Sequence, residues 1–362
     1  MQAAVVESVG GPFTIRDLDI EEPRPDEILV KITASGICHT DLSTRRAWPQ
    51  SRLPMVFGHE GAGVVEVVGS AVTTVAPGDT VCLSYRSCGV CRSCASAQPA
   101  YCETGIRALN ASGTRTDGSS PLIRDGSRVF GNFFGQSSFA THVLAYESNC
   151  VKVPASLNPV LAAPLGCGVQ TGAGTVLIVL QPAPGSSLVV FGAGSVGLSA
   201  VMAAVAEGCS VIVVDPVGSR RAVARELGAD AALDPAEYDD VAAAVRDITS
   251  GGTHCALDTT GQPAVVSQAI GALRHRGTLA LVGIGTTAQF DIMALMTKGI
   301  QVRGVIEGDA IPQEFIPRLI ALHGQGRLPV EKLITTYPFR DIEEAARAAV
   351  AGEVIKPVLT FG

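Results

Sequence analysis

Two textures of apolar and polar positions divide the chain. Up to about residue 160 the apolar runs are short, β-branched and bounded by Gly, Pro and Asp, as in residues 64–69 and 80–83, and they predict short strands and loops. The stretch 110–128 is rich in Ser, Thr, Gly and Asp and predicts an exposed loop. From about residue 170 strand-like runs at 188–191, 211–214, 255–258, 278–282 and 300–305 alternate with Ala-rich helical stretches, the signature of a parallel sheet covered by helices on both faces. The alternation stops near residue 306. Beyond it lie a helical pattern at 312–323, another near 341–351 and an apolar strand at 355–361, a tail expected to fold back onto the first domain. The expected division is therefore 1–168 with 307–362, and 169–306.

Composition narrows the class. A chain of 362 residues is long for one core, in keeping with two domains. At 47% apolar and 17% charged, with 40 glycines, it is ordinary globular material. A net charge of −7 without a basic stripe argues against nucleic acid as a partner. The first ten residues lack a basic segment followed by an apolar run, so no signal peptide is read. Residues 187–215 are apolar enough to imitate a membrane span, but Gly192, Gly194, Gly197 and Gly208 interrupt them and β-branched runs close both ends. Two buried strands around a turn and helix account for them better. Ten cysteines in a chain with no secretory signal suggest metal ligands or catalytic thiols in a reducing cytoplasm.

The run 188–191 leads directly into Gly192-Ala193-Gly194-Ser195-Val196-Gly197 and then an apolar helix. Gly192 permits a tight turn, Gly194 lets the backbone approach a pyrophosphate, and Gly197 lets helix and strand pack closely. The phosphates would meet the free N–H groups of the helix N-terminus around Ser195 and Val196. The next strand ends in Asp215, placed to accept hydrogen bonds from the adenosine ribose and to repel a 2′-phosphate, which favours NAD over NADP. Arg220 and Arg221 follow. Arg220 is the candidate for the adenosine end, and Arg221 reads as a solvated helix start.

Cys88, Cys91, Cys94 and Cys102 crowd into a lobe at about 86–105 that has little to build a core from. Four thiolates at this spacing can close a tetrahedron around a structural Zn²⁺ and supply the ordering energy that the lobe lacks. An iron–sulfur cluster is the main rival, and free or paired thiols the bland alternative.

Cys38, His59 and Cys167 complete the chemistry. One imidazole and two thiolates can hold Zn²⁺ and leave its fourth position open, as a catalytic site requires. Singly, each is more often a buried apolar cysteine or a hydrogen-bonded histidine; the joint pattern carries the reading. With Gly58-His59-Glu60-Gly61-Ala62-Gly63, the lobe cysteines and the glycine motif in this order, the chain resembles the zinc-containing, medium-chain alcohol dehydrogenases over essentially its whole length. Through Ile37-Cys38-His39-Thr40-Asp41, Phe133-Phe134-Gly135-Gln136-Ser137-Ser138-Phe139-Ala140, Gly166-Cys167-Gly168-Val169-Gln170-Thr171-Gly172 and Ile306-Glu307-Gly308-Asp309 it is most similar to the aryl- (benzyl-) alcohol dehydrogenases and their terpene-alcohol relatives.

The resemblance implies an α/β architecture: a GroES-like, mainly-β catalytic domain plus a Rossmann domain. It implies two Zn²⁺ per chain, NAD, and reversible hydride transfer between a primary alcohol and its aldehyde. It assigns Cys38, His59 and Cys167 as catalytic zinc ligands, Glu60 as a neighbour that binds transiently, Asp41 as the partner fixing the tautomer of His59, and Thr40 as the hydroxyl taking the substrate proton. It also implies a homodimer or homotetramer, through an exposed strand near 300–305. Two positions depart from the common pattern. Ser43 stands where many members carry a relay histidine, and His39 stands where many bind pyrophosphate with arginine, so that the pull on the phosphates should weaken as pH rises. Lys356 lies where the family often places another phosphate-contacting cation, and reads equally as a solvated strand-end lysine. Trp48, Tyr85 and Phe133 are candidate walls of an apolar pocket or simply packing core. Two rivals remain: a thiol-adduct-dependent formaldehyde dehydrogenase on the same motifs, and a catalytically silent homologue, which would need a lost ligand.

Overall fold

The computed structural model of the protein describes all 362 residues apart from the side chain of Ile106. The chain divides into two compact units, residues 1–167 with 311–318 and 334–362, and residues 168–310 with 319–333. The tail therefore does not return as one piece. Residues 319–333 stay with the second unit because Leu328, Val330 and Leu333 are buried and Arg327 donates to the carbonyl of Ala206.

The first unit is built on a seven-stranded sheet. Its main path runs Cys150–Lys152, Thr80–Leu83, Glu60–Val68, Glu27–Gly36, Lys356–Thr360 and Ile334–Pro338, and His142–Tyr146 also pairs with Glu27–Gly36. All pairs are antiparallel except the last on the path, Ile334–Pro338 with Lys356–Thr360. Inward-facing Ile28, Val30, Ile32, Val65, Val81 and Leu83 form its core. The run predicted at 64–69 begins earlier, at Glu60, so the strand carries the motif residues at its start. The polar stretch 110–128 is not simply an exposed loop. Leu122–Arg124 pairs with Asp19–Ile20 and Ser127–Val129, and Arg115 is buried. The reason is an ion pair: Arg115 Nε and Nη2 donate to both oxygens of buried Glu27 at 2.6 and 2.8 Å.

The second unit holds a six-stranded, wholly parallel sheet in the order Ala231–Leu233, Ser210–Val214, Ser187–Phe191, Thr253–Asp258, Leu273–Leu281, Gln301–Gly304. Numbered along the chain this is 3-2-1-4-5-6, the doubly wound dinucleotide-binding order. The central strands are buried along nearly their whole length, as expected when helices cover both faces. Residues 187–215 are two of these strands around the helix Ser195–Ala206. Among the described residues no single helix is long and apolar enough to cross a membrane.

Candidate metal and dinucleotide sites

The open-ligand site lies in the first unit. Glu27–Gly36 and Glu60–Val68 pair in a register that sets Gly36 opposite Glu60, bringing the turns that carry Cys38 and His59 together. Cys38 caps the helix His39–Ala47, and Cys167 follows the short helical turn Ala163–Gly166. The ligand atoms of Cys38, His59 and Cys167 all lie within 4.8 Å of one another. His59 Nδ1 is committed to Asp41 Oδ1 at 2.8 Å, while Nε2 is buried without a hydrogen-bond partner. An orphaned imidazole nitrogen beside two thiols is the donor set of a Zn²⁺ site with an open position, so these residues fit the metal. Asp41 is wholly buried and also accepts from the amides of Cys38 (3.0 Å) and Gly58 (3.1 Å), which fixes its carboxylate and hence the ring.

Charge reinforces the arrangement. A hydrogen bond from Cys167, with the His59 charge adding to it, holds the Cys38 thiol well below its ordinary value against the opposing effect of burial. Burial would lower His59, but the Asp41 carboxylate and the Cys38 thiolate outweigh it and hold the ring well above its ordinary value. Burial pushes Glu60 up, opposed by Lys356. Lys356 Nζ donates to both Glu60 oxygens at 2.8 Å and to the Ile37 carbonyl at 3.2 Å, and only 2% of the residue is exposed. The expectation of a phosphate cation or a solvated lysine is corrected: this ammonium is buried and spent on the Glu60 carboxylate.

Around His59 stands an aromatic shell. Phe133 meets its ring edge-on at 5.7 Å, and Trp48 and Phe57 meet Phe133 edge-on at 6.1 and 5.3 Å. Phe134, not singled out from the sequence, stacks on the imidazole at 4.4 Å and 26°. Trp48, Tyr85 and Phe133 are all buried, and Trp48 Nε1 donates to the Arg52 carbonyl at 2.7 Å. Thr40 is half-buried and His39 exposed. The Ser43 hydroxyl donates to the backbone carbonyl of Thr40 at 3.3 Å and not to its side chain.

The four-thiolate lobe is also formed. Its sulfurs lie within 4.8 Å of one another, and Val90 beside them is 86% exposed, so no core orders this segment. Hydrogen bonds from Thr104 and the Val90 amide bring the Cys88 thiol down to about 6, and the Cys94 and Glu103 amides lower Cys91, while burial pushes Cys94 up to about 12.

In the second unit Gly194 caps the helix Ser195–Ala206, and Gly192 lies at φ 94°. A Cβ on Gly197 would sit 1.9 Å from the Gly192 carbonyl oxygen, so no other residue allows this approach of helix to turn. Asp215 closes the motif. Its Oδ2 accepts from the Ala193 amide at 2.6 Å and its Oδ1 from the Val217 amide at 2.8 Å. The Ser195 hydroxyl and Arg220 Nε are buried without hydrogen-bond partners, polar atoms suited to a bound dinucleotide. Arg221 is not merely solvated: it bridges Asp234 and the Asp215 carbonyl, both at 2.8 Å.

Comparison with known proteins decides the family. Residues 24–155 match the alcohol dehydrogenase GroES-like domain and residues 195–323 the zinc-binding dehydrogenase domain. The chain is 46% identical to a geraniol dehydrogenase of Castellaniella defragrans over 99% of its own length and 97% of the relative's. The chain belongs to the zinc-containing alcohol dehydrogenases. Among solved structures of the family, a zinc-binding-domain alcohol dehydrogenase from Burkholderia ambifaria superposes with TM-score 0.97 at 48% identity, covering 100% of this chain and 98% of the other. A benzyl alcohol dehydrogenase from Acinetobacter calcoaceticus gives TM-score 0.95 at 42% identity, covering 100% and 99%. This dehydrogenase thus has the GroES-like and Rossmann domains of its family, zinc as its metal and NAD as its cofactor.

Proposed function

We propose that the enzyme interconverts primary alcohols of aryl, benzyl or allylic terpene type with their aldehydes, using NAD. The observation that carries this substrate class is the aromatic shell at His59, above all Phe134 lying flat on the ligand ring. Such a shell is aromatic and apolar, which suits a flat unsaturated carbinol. The names of the relatives, geraniol and benzyl alcohol dehydrogenase, point the same way.

In this reading Cys38, His59 and Cys167 hold the catalytic Zn²⁺, and Cys88, Cys91, Cys94 and Cys102 the structural one. Bound at the first site, the metal supplies Lewis acidity that makes a hydroxyl proton easier to lose or a carbonyl easier to reduce. Asp41 keeps the His59 ring in the tautomer that presents Nε2. Thr40 takes the hydroxyl proton and passes it outward, without help from Ser43, whose hydroxyl is turned to the Thr40 carbonyl. Glu60, held by Lys356, places a compensated negative charge beside the ligands. Gly192, Gly194, Ser195, Val196 and Gly197 seat the pyrophosphate, His39 takes the place of the family's phosphate-binding arginine, Arg220 serves the adenosine end, and Asp215 reads the ribose hydroxyls.

Self-association in the cytoplasm belongs to the same proposal. The edge strand Gln301–Gly304 is exposed along its whole length, and Ile292 (71%), Met293 (65%) and Met296 (70%) expose apolar side chains in the same unit, an edge and a surface that a second copy would cover. NADH absorbance with benzyl, allylic terpene and short saturated alcohols tests the substrate class. Higher kcat/KM for the first two is expected, and preference for the short saturated alcohols refutes it.

A further inference from the structure

Gln136 belongs to neither site by its chemistry, yet its carboxamide is 2% exposed and fully used. Nε2 donates to the His59 carbonyl at 3.0 Å and to the Ser84 carbonyl at 2.9 Å, and Oε1 accepts from the Gly61 amide at 3.0 Å. The ladder between Glu60–Val68 and Thr80–Leu83 ends at the pair Ala62 and Cys82. One step further on, the side chain of Gln136 takes over. It bonds the peptides on both sides of Glu60 and ties them to the residue that follows the second strand. Gly61 is what admits it, because a Cβ there would stand 3.0 Å from Gln136 Oε1 and 2.9 Å from Ser138 Cβ.

The segment that delivers Gln136 is under backbone strain. Asn132, Phe134, Gly135 and Ser137 all have left-handed φ, between 53° and 69°. Three of the four are not glycine, so the turn persists only because its surroundings hold it. Asn149 Nδ2 donates to the carbonyls of Phe134 (3.0 Å) and Gly135 (3.1 Å). The Ser137 hydroxyl donates to Val56, and Ser35 and Ser138 are hydrogen-bonded at 2.9 Å. The same turn lays Phe134 against the His59 ring. Strain accepted here leaves two contacts converging on one residue, one on its ring and one on its peptide.

We infer that Gln136 is a positioning residue for the catalytic metal: its side-chain amide replaces the missing ladder, fixes the His59 peptide, and so aims Nε2 at the metal. Asp41 orients the ring about its own axis, and Gln136 anchors the backbone from which the ring projects. The inference rests on His59 being a zinc ligand.

Release of zinc to a chelator from the full-length holoenzyme tests it, with the four-thiolate zinc as internal control. Gln136→Met keeps the volume and removes all three hydrogen bonds. It should release one zinc ten- to a hundredfold more readily, the effect typical of losing an outer partner of a ligand, and leave the other zinc unchanged. Gln136→Glu keeps the acceptor for Gly61 but sets a carboxylate against two carbonyls, and should not restore retention. Cobalt in the catalytic site should show altered ligand-field bands in both variants. Gly61→Ala crowds the amide from the opposite side and should reproduce the single labile zinc if Gln136→Met folds poorly. Wild-type retention of both metals in Gln136→Met and Gly61→Ala, or parallel loss of both, overturns the inference. Zinc content of Cys38→Ser tests the ligand reading separately: one zinc per chain is expected, and two would remove the premise whatever Gln136 does.

Discussion

Replacing Asp41 by asparagine changes one atom and should cost the enzyme its hold on one zinc. Three donors converge on this buried carboxylate: the Cys38 amide on Oδ2, and the Gly58 amide and His59 Nδ1 on Oδ1. An asparagine has only one acceptor oxygen. Turned to keep Gly58 and His59, it sets its NH₂ against the Cys38 N–H; flipped, it abandons two donors. The first orientation wins and leaves one buried N–H unsatisfied, at a cost of about 1–3 kcal/mol to the fold. The ring keeps its tautomer but loses the adjacent negative charge that raises its basicity. Loss of such a partner lowers metal affinity by roughly 10–100-fold, or about 1.4–2.8 kcal/mol. The two costs are of similar size but are read differently, the first in melting temperature and the second in zinc competition. Equilibration of Asp41→Asn with a graded chelator should show one zinc leaving at roughly ten- to hundredfold lower chelator activity than in wild type, with the four-thiolate zinc unmoved. Equal retention of both metals would refute the reasoning, because it would mean that the thiolates alone set the affinity.

Arg115→Met leaves Glu27 buried without its partner and should destabilise the first unit by about 3–5 kcal/mol, read as a lower melting temperature. Burial pushes Glu27 up, but its hydrogen bonds with Arg115 and the Arg24 amide outweigh that and hold its carboxyl below the ordinary value. Its contribution is therefore complete above the ordinary carboxylate range, about 4, and is lost as pH falls through the lower folded value. The gap between wild type and variant should narrow in acid, and a constant or widening gap refutes the assignment. Cys88→Ser should remove the structural zinc alone and make residues 88–102 sensitive to protease, since almost nothing apolar is buried there; an unchanged digestion pattern would show that the lobe orders itself without metal.

What was legible in the sequence is what neighbouring residues decide among themselves. The glycine motif, the strand leading into it and Asp215 lie within 28 residues, and their chemistry is stated by spacing. The four lobe cysteines are equally local. The parallel sheet followed from alternation, because βαβ units are contiguous in the chain. Two of the failures share a physical cause, a polar partner far away in sequence. Arg115 looked like loop because Glu27 lies 88 residues from it, and Lys356 looked like a free cation because Glu60 lies 296 residues away. Composition marks such residues as surface, and only a buried counter-charge reverses that reading.

Gln136 belongs to the same class, and it shows why the metal site is more than its ligands. Periodicity cannot reveal a glutamine that stands in for a missing β-ladder, since its role depends on where two strands stop pairing. The structure extends the strand back to Glu60, and Gly61 then lies inside it, where a glycine marks close approach by another group. The group is the Gln136 carboxamide, 75 residues away. The two positions form one device: Gly61 provides the space, Gln136 fills it, and the His59 peptide is held as a consequence. A substitution at either should therefore fail in the same way, and the double variant should cost no more zinc affinity than the worse single one, as expected for residues acting through a single contact.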